Sequence, residues 1–79
     1  MRGHKIIEVE DGSIARELEL EKGDVLLKIN GKEIIDVLDY IEFMEAEELE
    51  LLIEKENGQE WEIQIGKEMG EDLGLKFEH

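Results

Sequence analysis

No cysteine, proline or threonine occurs in these 79 residues, Ser13 is the lone serine, and His4 and His79 are the lone histidines. Without cysteine this chain holds no disulfide framework, no thiolate-ligated zinc and no iron–sulfur cluster, and the composition fits a reducing, cytoplasmic setting. Nucleophilic catalysis needs a hydroxyl or thiol beside a positioned base. With one serine, and with both histidines near chain ends, the expectation is a non-catalytic chain. No proline-rich linker and no long apolar run is present, so neither a signal peptide nor a membrane span is expected. Positive charge is scarce: 9 Lys and Arg face 23 Asp and Glu, a formal net charge of -14. Affinity for phosphate backbones comes mainly from cationic neutralisation, so nucleic acid is not the expected partner. The same charge repels anionic lipid and attracts basic partners, within a screening length of about 10 Å at 0.1 M salt; its simplest role is a solubility coat.

What remains is a chain that is 41% apolar, enough for one small core with a stability margin of a few kcal/mol. Lys5 to Glu10 has strand character, and the chain turns at Asp11-Gly12. Ser13 suits the N-cap of a one-turn helix, Ile14 to Glu17, and Ala15 lets that helix lie close to a sheet. Gly23 suits a tight turn to which Asp24 can bond back. Val25 to Ile29 is a nearly continuous apolar strand, and Asn30-Gly31 supplies a hairpin turn. Lys32 to Ile35 is a short extended piece.

Asp36 is the expected N-cap of a second helix, Val37 to about Glu45. Asp39 and Glu42 form its wet stripe, which turns Val37, Ile41 and Met44 toward the sheet, with Leu38 and Phe43 on the flanks. Tyr40 and Phe43 share the flank of Asp36, at i, i+4 and i+7.

Leu49 to Lys55 and Trp61 to Ile65 alternate as a hairpin. A two-residue Asn57-Gly58 loop would set Ile53 opposite Glu62. A three-residue loop, Glu56-Asn57-Gly58, instead pairs Ile53 with Trp61, Leu51 with Ile63 and Leu49 with Ile65, so the three-residue loop is predicted, with Gly58 at its left-handed position. Gly66 to Asp72 is a polar loop, and Leu73 to Phe77 ends in a short strand. No repeat divides the chain, so residues 1–79 are expected to form a single domain. His4 has no second histidine or cysteine at ligand spacing, and Glu68, Glu71 and Asp72 lack the spacing of a calcium loop, so no metal or cofactor is expected here.

The run Gly12-Ser13-Ile14-Ala15, the leucines at 18 and 20, Gly23-Asp24, the apolar strand and Asn30-Gly31 resemble the signature of PDZ domains. That resemblance implies an α+β fold: a partly open, five- to six-stranded antiparallel sheet or barrel with one short and one longer helix. It implies a peptide-binding or protein-interaction module. In that family a loop of the type x-Leu-Gly-apolar offers backbone amides to a peptide carboxylate, and the next strand pairs with the peptide. Here Asp72-Leu73-Gly74-Leu75 is similar to that loop, and it comes last, as in circularly permuted bacterial PDZ domains. The implied ligand-binding residues are Leu73, Gly74, Leu75, Lys76 and Phe77, with Tyr40 and Phe43 on the helix wall. Glu68, Glu71 and Asp72 oppose a carboxylate there, and Lys67 and Lys76 are the only nearby counterweights.

A narrower resemblance joins Gly12 to Ala15, Asp36 to Tyr40, Trp61-Glu62-Ile63 and Gly70 to Leu75. These runs resemble the N-terminal PDZ-like domain of uncharacterised bacterial proteins similar to radical SAM iron–sulfur oxidoreductases. It implies a monomeric fragment leading a larger enzyme, with the iron–sulfur cluster and S-adenosylmethionine in the following part. Two roles follow for the fragment: docking an extended segment of another protein or of its own chain, or a structural part with no separate ligand. An independent enzyme is the weaker alternative.

Overall fold

In the computed structural model, which describes residues 3–78, the apolar stretches fold onto one another as six antiparallel strands and two short helices. Strand β1, His4–Val9, leads to helix α1, Ile14–Glu17. As expected, the Ser13 hydroxyl caps α1, accepting the Arg16 N–H at 3.2 Å. Ala15 is fully buried beneath it. Strands β2, Val25–Ile29, and β3, Lys32–Glu33, flank the Asn30-Gly31 turn, where both residues have positive φ. Helix α2, Val37–Phe43, begins at Asp36, whose carboxylate accepts the Leu38 and Asp39 amides while Asp39 reaches back to the Asp36 amide. This reciprocal capping box fixes where the helix starts.

Strands β4, Glu48–Glu54, and β5, Glu60–Gly66, carry the register argued from the sequence: Ile53 faces Trp61, Leu51 faces Ile63 and Leu49 faces Ile65. The turn between them is the three-residue one. Lys55 N–H donates to the Gln59 carbonyl, Gly58 N–H donates to the Lys55 carbonyl, and only Gly58 within the loop has positive φ. Strand β6, Leu75–Phe77, closes the sheet order β5-β4-β2-β1-β6, with β3 branching from β2.

Two bulges shape the middle of the sheet. On β2 the pairing to β4 skips Leu27, which lets adjacent Leu26 and Leu27 both be buried. On β1 the pairing to β6 skips Ile7. There the extra residue turns outward, and Ile7 remains 43% exposed beside fully buried Ile6. The core unites Ile6, Leu20, Leu26, Ile29, Leu51, Ile53 and Leu73 with Tyr40 and Met44 of α2.

Helix α2 faces differently from the expectation. Met44 is buried, but Ile41 is 54% exposed and Tyr40 takes the inward position. With about 100° of rotation per residue, seating Tyr40 and Met44 on the core swings Ile41 outward. The Val37 side chain, expected to face the sheet, lies outside the described set. Asp24 does bond back to the Gly23 turn, its carboxylate accepting the Glu21 amide at 2.9 Å.

Candidate functional site

Strand β6 is the end of the sheet path, so one of its edges is unpaired among the described residues. Glu10 N–H donates to the Gly74 carbonyl, and Glu78 N–H donates to the Lys5 carbonyl, so residues 74 and 78 point toward β1. Backbone groups alternate along a strand. The N–H and C=O groups of Leu75 and Phe77 therefore point away from β1, toward α2.

Between that edge and α2 runs a groove of about 730 Å³. Its floor is aromatic: Tyr40 and Phe77 meet edge to face at 4.9 Å, and His4 meets Phe77 at 6.2 Å. His4 is held by a hydrogen bond from Nε2–H to the Ile34 carbonyl at 2.6 Å, which fixes that ring nitrogen as the protonated one. The walls are Ile7, brought there by the β1 bulge, Ile35 and Ile41. All three are solvent-facing, Ile35 at 82%. Side chains this apolar gain roughly 1.5–3 kcal/mol each on full burial, so a cluster of three marks a surface suited to being covered.

At one end stands the loop before β6. Leu73 is wholly buried, its carbonyl accepting the Ala15 amide at 2.9 Å. Gly74 has φ of +88, and a Cβ there would collide with Ser13. The glycine is thus required by backbone conformation and by helix α1 whether or not a ligand approaches. Its amide donates to Asp72 Oδ1 at 2.7 Å, and the Tyr40 hydroxyl donates to the same oxygen at 3.4 Å. Burial, and after it the Asp72 charge, raise the Tyr40 phenol above its ordinary pKa, while the Leu73 amide beside the phenol oxygen acts in the opposite sense. Tyr40 stays a neutral donor at physiological pH.

Charge in the groove is mostly negative. Asp36, Asp72 and Glu78 line it, against Lys76 alone. Lys76 Nζ lies 3.5 Å from Glu8, and Lys67 Nζ is spent on the Met44 and Glu68 carbonyls at the far end of α2. Lys67 is thus occupied away from the groove, and Lys76, half exposed, already has a carboxylate beside it. No group of three or more His, Asp or Glu among the described residues is placed to hold a metal ion. None of the helices described is long and apolar enough to cross a membrane.

Of the residues singled out from sequence, Tyr40, Leu75, Lys76 and Phe77 line the groove, while Leu73 and Gly74 shape its end from beneath. Phe43 does not line it; it packs partly buried on the core, about 60° round the helix from Tyr40 on the side away from Ile41. Missed were Ile7, Ile34, Ile35, Ile41 and His4. A signal for two of the walls was present: Ile6-Ile7 and Ile34-Ile35 are doublets that break strand alternation, so one member of each must face away from the core.

A family model described as PDZ domain matches residues 5–55, from β1 through β4. Among solved structures, the PDZ domain of the SdrC-like protein from Listeria innocua superposes with a TM-score of 0.77 at 16% identity, covering 98% of this chain and 94% of that one. The corresponding domain from Listeria monocytogenes gives 0.77 at 16% identity, covering 98% and 88%. At such identity the likeness is one of fold. No curated protein matches the chain.

Proposed function

Because the chain belongs to the PDZ domain family, a family of non-catalytic protein-interaction modules, we propose that it binds an extended apolar protein segment as an added strand on β6. The observation that carries this reading is the free β6 edge, with the Leu75 and Phe77 backbone groups turned toward a groove walled by exposed isoleucines. An added strand satisfies those groups, and the pleat then directs alternate side chains of the segment onto Ile7, Ile35 and Ile41. In this role Leu75, Lys76 and Phe77 provide the pairing edge and Tyr40 the pocket floor. The position of the x-Leu-Gly-apolar loop after the matched region supports a permuted chain order.

Amide-shift titration of the chain with a pool of extended apolar peptides tests the reading. Shifts centred on Leu75 and Phe77 are expected. Ile41→Asp, on an exposed position, should leave the fold intact and weaken binding by about tenfold or more, since one buried apolar contact is lost and a charge is put in its place. Shifts elsewhere, or equal binding by the variant, would defeat it.

We further propose that the domain leads a larger cytoplasmic protein of the radical SAM oxidoreductase type, in which the iron–sulfur cluster and S-adenosylmethionine belong to the following part. The support is the resemblance of Gly12 to Ala15, Asp36 to Tyr40, Trp61 to Ile63 and Gly70 to Leu75. Reading the gene beyond residue 79 for three closely spaced cysteines tests it.

A further inference from the structure

The end of the groove already contains a carboxylate. Asp72 Oδ1 accepts the Gly74 amide at 2.7 Å and the Tyr40 hydroxyl at 3.4 Å, and the Leu73 carbonyl and Gly74 carbonyl are taken by Ala15 and Glu10. A second carboxylate brought to this loop would find the Gly74 donor in use and a like charge within contact distance. Two carboxylates in one site do not both stay ionised without cost. Asp72 is itself exposed, and its Oδ2 carries no hydrogen bond among the described residues. Around it the groove presents Asp36 and Glu78, against Lys76 alone, whose Nζ lies 3.5 Å from Glu8.

Resting on the strand-addition reading above, we propose that the groove takes the interior of a basic, apolar protein segment and not a chain terminus, with a Lys or Arg of that segment on the free Oδ2 of Asp72. The walls and floor receive the apolar side chains. Asp72 thereby replaces a ligand carboxylate with one of the protein's own and turns the end of the groove into a cation acceptor. A charge-assisted hydrogen bond is stronger than a neutral one, so this contact sets the preference among segments that all pair with β6.

Two pools of hexapeptides, each with Val, Ile, Leu or Phe at alternate positions, provide the test on the whole 79-residue chain. In one pool the last residue is Lys with an amidated end; in the other the same apolar residues end in a free carboxylate. The chain is expected to bind the amidated Lys pool roughly tenfold more tightly, with the margin shrinking as salt rises. Asp72→Ala, which frees the Gly74 amide, should lose that margin and gain affinity for the free-carboxylate pool. Asp72→Asn, which keeps an acceptor for Gly74 but no charge, should lose the margin without that gain. Equal or tighter binding of the carboxylate pool by the unaltered chain overturns the inference, as does an unchanged margin in both variants, while β6 shifts in either case leave strand addition standing. Absence of Leu75 and Phe77 shifts with both pools removes strand addition and this inference together.

Discussion

Two aspartates each tie down a loop, and they do so with opposite consequences. Asp24 is 2% exposed. Its Oδ2 accepts the Glu21 amide at 2.9 Å and lies 2.6 Å from Lys55 Nζ. That ammonium also donates to the Glu19 carbonyl and sits 4.3 Å above the Trp61 ring. Every group in the set has its partner, and water is excluded. Asp72 likewise accepts one backbone amide and one side-chain donor, but both donors are neutral and the carboxylate is exposed to the groove. A neutralised, sealed carboxylate can only hold structure. An unneutralised one at the end of an apolar groove keeps its charge available for a partner.

Three substitutions test how far the two aspartates differ. Lys55→Met keeps the buried stem but leaves Asp24 an unpaired buried charge, a change that costs about 3 kcal/mol or more. For a domain this small that is a large part of the total, and the urea midpoint should fall accordingly; a midpoint within error of the parent would show the Asp24 end to be no more structural than the other. Tyr40→Phe removes one donor to Asp72 and should cost about 1 kcal/mol at neutral pH. Its pH dependence is more telling. A phenol with its folded value raised above the unfolded one, near 10, contributes stability that is whole below about pH 10 and is lost as pH rises through the raised value. Thermal midpoints of the parent should therefore drop more steeply above about pH 10 than those of Tyr40→Phe, and parallel curves would contradict a buried, charge-flanked phenol. Asp72→Asn should have the smallest effect, within about 0.5 kcal/mol by denaturant titration, because the exposed charge has no cationic partner to lose.

Local chemistry explains why some of this is legible in the sequence. The β4–β5 register follows from alternation plus one glycine, and the Asp36 cap follows from a polar residue set against an apolar run. Both are decided within a few residues. Helix α2 is different, since positions 37, 38, 40, 41, 43 and 44 are all apolar. With only Asp39 and Glu42 to mark a wet side, periodicity cannot separate a face that meets the core from one that meets a groove, and Ile41 and Phe43 are exchanged on that account. The Asp72 contact with Tyr40 spans 32 residues. Sequence placed an acid in that loop and read it as a hindrance to carboxylate binding; its hydrogen bonds required the tertiary placement of α2 beside Leu73.

The skipped residue on β1 has a genetic corollary. Ile6 pairs with Phe77 and Glu8 with Lys76, so loss of the single codon for Ile7 would make the ladder regular without disturbing either neighbour's partner. The sheet would survive, and one wall of the groove would vanish. Domains of the same topology with a deeper and a shallower groove are therefore one in-frame deletion apart, a short step that alters what the groove can hold while the pairing of the sheet is kept.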